Sequence, residues 1–110
     1  MGSTAVTLDS PVHFSSIPEG ADSALVATAA HHWLYQTLVG MCQRPSGISI
    51  DTRIDDTGVQ FTINVDPADY GYIVGKQGRN MRAIRTLAGC MAKRYRTRFE
   101  VVLDFPRPTN

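Results

Sequence analysis

Lys76 and Gln77 stand between two glycines, Gly75 and Gly78, and are followed at once by Arg79 and then by Arg82. Those residue types at that spacing suit one piece of chemistry, contact with phosphate. A residue without a side chain turns sharply and lets another molecule approach its backbone N–H groups. If a helix begins near Gly78, its unpaired amides and the positive end of its dipole face the same place, and Arg79 and Arg82 add charge on its first turns.

A Gly-x-x-Gly pair is by itself most often an ordinary turn. Two other phosphate motifs are excluded here. A P-loop needs four residues between its first glycine and Gly-Lys-Ser/Thr, but Gly71 to Gly75 leaves three, and Gln77 stands where the hydroxyl belongs. A dinucleotide fingerprint needs a further glycine at position 73, which is isoleucine.

The flanks are more specific. Ile73 and Val74 form an apolar pair before the loop, and Met81 and Ile84 follow it at helical spacing. The stretch resembles the signature of KH domains, which implies that the loop clamps about four nucleotides of a single strand by the backbone.

The elements that must position this loop are readable from the pattern of the chain. Asp22 and Ser23 suit the N-cap of a helix running to about Gln43 and ended by Arg44-Pro45-Ser46-Gly47. Its Val26, Ala29, Ala30, Trp33, Leu34, Leu38 and Met41 spread over an arc of roughly 180°, wider than one packing face needs. Dimerisation through this helix and a helix deeply embedded in its own fold both account for that arc. His31 and His32 are adjacent, so they cannot share a metal from one helix face, and they read as ordinary surface or core histidines.

Alternation then replaces the helical period. Ile48, Ile50 and Ile54 face one way and Asp51 and Arg53 the other. After the turn Asp55-Asp56-Thr57-Gly58, Val59, Phe61, Ile63 and Val65 alternate with polar residues, which makes a hairpin. Asp66 and Pro67 read as N-cap and first position of a short helix to about Val74, with Asp69 in its first turn where a negative charge suits the dipole. Beyond the loop a longer helix reaches about Tyr95, with Ile84, Leu87, Ala88, Met91 and Tyr95 in an apolar arc of roughly 120° and Arg79, Arg82, Arg85, Lys93 and Arg96 opposite. Phe99, Val101, Leu103 and Phe105 form the apolar side of a third strand.

This order predicts an α+β fold, α-β-β-α-α-β, with a three-stranded mixed sheet covered on one face by helices. The helical crossover makes the second and third strands parallel. It is also the order of the type II KH fold. From about Ala24 to Phe105, roughly three-quarters of the chain, the sequence resembles the small single-domain bacterial KH proteins called KhpA-like, most specifically over Val65 to Arg79. The expected division is an appended arm of unknown order over 1–21, a KH domain over 22–105 and a tail over 106–110. Val12, Phe14 and Ile17 are the arm residues able to pack.

The resemblance implies binding of single-stranded RNA, and self-association or pairing with a larger KH-containing protein. Position by position, Gly75 and Gly78 shape the loop, Lys76 and Gln77 face the nucleic-acid backbone, and Ile73, Val74, Met81 and Ile84 fix the helix pair and help line an apolar groove. Val74 and Met81 replace more usual isoleucines. Arg79 and Arg82 are next in line for phosphates. Lys93, Arg94, Arg96 and Arg98 form either a solvated face or a complement to the helix's negative end.

Composition agrees. The 110 residues fit one small domain. The net charge of +1 conceals a segregation: eight of the eleven Lys and Arg residues lie between Lys76 and Arg98, where there is no Asp or Glu. Cys42 and Cys90 have no companion at metal-ligand spacing and read as two buried thiols in a reducing cytoplasm. No run is long enough to span a membrane, and the start lacks a signal-peptide pattern and fails the myristoylation pattern at Val6. No Ser/His/acid grouping, paired carboxylates or metal-ligand cluster supports catalysis, and no cofactor is expected. The expected role is post-transcriptional regulation or RNA chaperoning, with a protein-interaction module as the alternative.

Overall fold

A computed structural model of the chain describes residues 12–18 and 20–104. Three helices, α1 (Ser23–Met41), α2 (Tyr70–Val74) and α3 (Arg79–Arg94), and three strands, β1 (Ser49–Asp55), β2 (Gly58–Asn64) and β3 (Phe99–Leu103), follow one another in the expected order. The sheet runs β1-β2-β3, with β1 and β2 antiparallel and β2 and β3 parallel. α1 lies over β1 and β2, α3 lies over β3, and α2 touches both long helices.

Local chemistry sets the boundaries. The Asp22 carboxylate accepts the Leu25 N–H at 3.0 Å and starts α1. α1 ends at Met41, slightly before the anticipated Gln43, and a 3-10 turn over Pro45–Gly47 leads into β1. Asp66 accepts the Ala68 N–H at 2.9 Å and, with Pro67, opens a 3-10 turn that continues into α2. Phe61, Leu34, Leu38, Ile63 and Ile73 are the largest apolar side chains wholly inside the core. Each contributes about 2 kcal/mol by leaving water. Phe105 and the tail lie outside the described residues, as does the arm before Val12.

The wide arc of α1 is covered from within the chain. Its inner side meets the sheet, and part of its outer side meets the arm, whose Phe14 packs against the core and stacks on Tyr95 with ring centroids 5.5 Å apart. His13 meets His32 edge-on at 4.9 Å. His31 is buried, and its Nδ1 shares a 2.7 Å hydrogen bond with the Thr52 hydroxyl on the inner face of β1. Burial pushes the His31 pKa down, and the neighbouring His32 pushes it further.

Two expectations need correction. Leu87 is not in the apolar face of α3 but half exposed, at 51 %. The buried stripe is Met81, Ile84, Ala88 and Ala92, turned by roughly 50° on the wheel from the anticipated arc. Alanines that fit closely against β3 are inside while a larger residue is out. Cys90 is exposed rather than buried, whereas Cys42 is half-buried, its thiol pKa raised by burial and then by Asp69. Asp69 stands in the first turn after Pro67 as expected, and it is also buried, its carboxylate accepting the Gln43 and Arg44 N–H groups at 2.9 and 2.8 Å.

Candidate nucleic-acid interface

The loop between α2 and α3 is a single 3-10 turn, Lys76–Gly78, in which the Gly78 N–H donates to the Gly75 carbonyl at 3.1 Å. Gly75 has φ 78° and ψ 171°, a region that glycine alone occupies without strain. Glycine is also required by space, because a Cβ there would lie 2.9 Å from the Asn80 backbone nitrogen and 2.7 Å from its Cγ. Gln77 at φ 58° and Gly78 at φ 74° are both left-handed, which throws the tip outward.

Asn80 and Arg82 lock this shape. Asn80 Nδ2 donates to the Tyr72 carbonyl at 2.7 Å, tying the first turn of α3 back to α2. An Arg82 guanidinium N–H donates to the Gln77 carbonyl, bracing the tip from beneath. Both act on backbone acceptors that would otherwise face water. Asn80 was invisible as a site residue in the sequence, although an Asn just inside a helix that begins with Gly carries a short amide able to reach nearby backbone.

What the loop leaves unsatisfied matters most. Among the described residues, the Lys76 and Gln77 backbone N–H groups donate to no protein acceptor, and Gly78, the N-cap of α3, brings no side chain to the first-turn amides. Lys76, Gln77, Arg79 and Arg82 are exposed, and among the described residues none of the three cations has a carboxylate within salt-bridge distance. Adjacent outward N–H groups beside unpaired cations at a helix start form an anion cradle.

The expected site residues thus divide in two. Gly75, Lys76, Gln77, Gly78, Arg79 and Arg82 come together at one corner. Ile73, Met81 and Ile84 are buried in the core, and Val74 is half-buried against it, so these four support the loop from behind. Arg85 lies apart from the corner: its Nε donates to the Val101 carbonyl at 3.0 Å. Since Val59 donates to Arg98 and Asp104 to Ile63, the odd-numbered groups of β3 point away from β2, and Arg85 covers that edge of the sheet.

A concavity of about 560 Å³ opens elsewhere, beside the hairpin turn, lined by Asp55, Thr57, Gln60, Arg98 and Glu100 among others. Its two carboxylates make it a poor phosphate site. Among the described residues, no group of three or more His, Cys, Asp or Glu could hold a metal ion, and no helix is long and apolar enough to cross a membrane.

Known proteins resemble the chain in sequence. The KhpA/KhpB KH-domain family model matches residues 33–103, from the middle of α1 to the end of β3. The chain is 30 % identical over 71 residues to the RNA-binding protein KhpA of Leifsonia xyli subsp. xyli, covering 64 % of this chain and 93 % of that protein. It is 29 % identical over 66 residues to the RNA-binding protein KhpA of Streptococcus pneumoniae serotype 4, covering 58 % and 80 %. With that of Streptomyces coelicolor it shares 31 % over 55 residues, 50 % and 70 % of the two chains. No solved structure matches. The match encloses both strands and both helices that flank the loop, and on this ground the chain belongs to the KhpA/KhpB family of KH domains.

Proposed function

We propose that the chain binds short single-stranded RNA without catalysis, through the Gly75–Gly78 loop and the first turn of α3, and serves as a post-transcriptional regulator or RNA chaperone. The observation that carries this reading is the pair of outward backbone N–H groups at Lys76 and Gln77, flanked by cations without acidic partners. The relatives named as RNA-binding proteins support it. A phosphate seated at the tip takes hydrogen bonds from the amides and charge from Lys76 and Arg79. Arg82 keeps further N–H donors beyond the one that braces Gln77. Three such phosphate contacts would make log K fall against log salt with a slope of about −2.1.

The test is fluorescence anisotropy with labelled short single-stranded RNAs, comparing the wild type with a Lys76→Asp, Gln77→Asp double variant shown by circular dichroism to be folded. A loss of about a hundredfold or more in the variant is expected, since two charge-assisted contacts become repulsive. Equal binding by the two proteins would demote the loop to a structural turn.

A second reading, pairing with another KH domain, is favoured by Leu87, which stands half exposed on α3. The α1 arc no longer calls for a partner. Light scattering at micromolar concentration should show a dimer that Leu87→Glu converts to monomer; a wild-type monomer would remove this reading and leave the first intact.

A further inference from the structure

We propose that Tyr72, with Arg44 beside it, is a stacking platform that lengthens the RNA site by one base along α2, away from the loop. This inference rests on the RNA-binding reading of the loop and adds a base contact that the loop, a backbone clamp, does not supply.

Tyr72 and Leu87 are the two exposed large hydrophobic residues among those described, each at 51 %. Leu87 has an apolar side chain only, but Tyr72 offers a ring with a π-face, and every base has one to match. The residue lies four positions before Lys76, in α2, the short helix that ends at Val74 and leads directly into the loop. Its backbone is fixed: the carbonyl is the acceptor for Asn80 Nδ2, the same bond that shapes the loop. Its ring is steered as well, because Gln43 Nε2 reaches the phenol oxygen at 3.4 Å, and Gln43 is itself anchored by its N–H on buried Asp69. A ring held at both ends loses little freedom when a base settles on it.

Charge continues along the same track. The backbone of Arg44 is held by Asp69 at 2.8 Å, while its side chain is 60 % exposed and meets Asp66 only at 3.8 Å. So long a contact in water holds the guanidinium weakly. Lys76 at the tip, Tyr72 on α2 and Arg44 at the end of α1 thus interleave cation, aromatic and cation, the composition by which single strands are bound when bases stack and phosphates pair. Asp69 ties the residues that follow α1 to the start of α2, and so sets Gln43 and Arg44 beside the helix that carries Tyr72.

Stacking and phosphate contact leave different signatures, and the experiment uses both. Anisotropy titrations over a range of salt, with single-stranded RNA hexamers carrying 2-aminopurine at successive positions, would compare the wild type with Tyr72→Ala, Tyr72→Leu, Tyr72→Phe and Arg44→Ala. The expected result is a 2-aminopurine signal quenched at one position in the wild type. Tyr72→Ala and Tyr72→Leu lose that quenching and about 5- to 150-fold in affinity with an unchanged salt slope. Tyr72→Phe, which keeps the ring but loses the Gln43 contact, retains the quenching with at most a few-fold loss of affinity, and Arg44→Ala lowers the slope by about 0.7. Leucine keeps apolar bulk on α2, so a loss shared by both variants, each folded by circular dichroism, reports the ring rather than the fold. If the wild type binds, the loop double variant does not, and both Tyr72 variants bind like the wild type, this inference fails and the loop reading stands. If the wild type binds no RNA, both fail.

Discussion

The hairpin turn Asp55–Gly58 and the loop Gly75–Gly78 are both four residues long, and both close on a glycine of positive φ. In the hairpin, the Asp55 carboxylate takes the Thr57 N–H at 2.8 Å and the Thr57 hydroxyl at 2.6 Å, so the turn consumes its own donors. In the loop no carboxylate is present, and the tip amides of Lys76 and Gln77 are left to solvent or a ligand. One turn satisfies its own donors, while the other leaves two of them without a protein acceptor. The difference lies in which side chain the sequence places two residues before an outward N–H, an acid in the first case and a glycine in the second. A Gly-x-x-Gly spacing becomes informative when the donors it exposes have no acceptor within reach.

That contrast can be broken at several points. The largest effect is expected from Gly75→Ala, which combines a backbone conformation closed to alanine with a Cβ 2.9 Å from the Asn80 nitrogen. It should cost about 2 to 5 kcal/mol of stability in urea unfolding, and a loss under half a kcal/mol would mean that the loop relaxes freely. Next comes Gly78→Asp, which places an acid at the N-cap of α3, beside the tip of the loop. Aspartate tolerates left-handed backbone, and the nearest group to its Cβ is the Arg82 guanidinium at 3.4 Å. RNA affinity should fall by about ten- to a hundredfold while the unfolding midpoint hardly moves; undiminished binding would show that the first-turn amides of α3 are not used.

The smallest effect is expected in the hairpin. The Thr57 hydroxyl, then the Thr57 amide, hold the Asp55 carboxyl below its ordinary value of 3.8. A lowered carboxylate pKa stabilises the fold above the ordinary value, and that stability disappears as pH falls through the lowered one. Asp55→Ala should therefore give a slightly lower melting temperature near neutrality, converge with the wild type in strong acid, and leave RNA binding untouched. A binding defect in this variant would put the hairpin into the interface.

Much of this was legible in the chain. Strand alternation, the Asp66-Pro67 helix start, the hairpin turn and the corner of Gly75 to Arg82 all follow from local chemistry, and the structure has them where that chemistry requires. What escaped is tertiary. Leu87 is ranked interior by its hydrophobicity, yet the buried stripe is set by how α3 is rotated on the sheet, toward Met81 and Ala92. Asp69 resembles any first-turn acid until the end of α1 arrives beside it. His31 and Thr52 form a buried polar pair that depends on how α1 is set over β1, and Phe14 covers α1 from a segment without periodicity. Asn80 and Tyr72 required the backbone path before they could be seen to meet beside the loop.

The parallel pairing of β2 with β3 has a consequence in time. Ile63 pairs with Leu103, and everything between them, including the loop, belongs to the crossover. A chain growing from its N-terminus holds α1 and the hairpin long before β3 exists, yet α3 has no strand to lie on until then. Distant pairings of this kind form late, after the ends of a long loop have been brought together. The corner proposed to meet RNA is therefore expected to be the last part of the molecule to take shape during synthesis, so that an unfinished chain would not capture RNA through it.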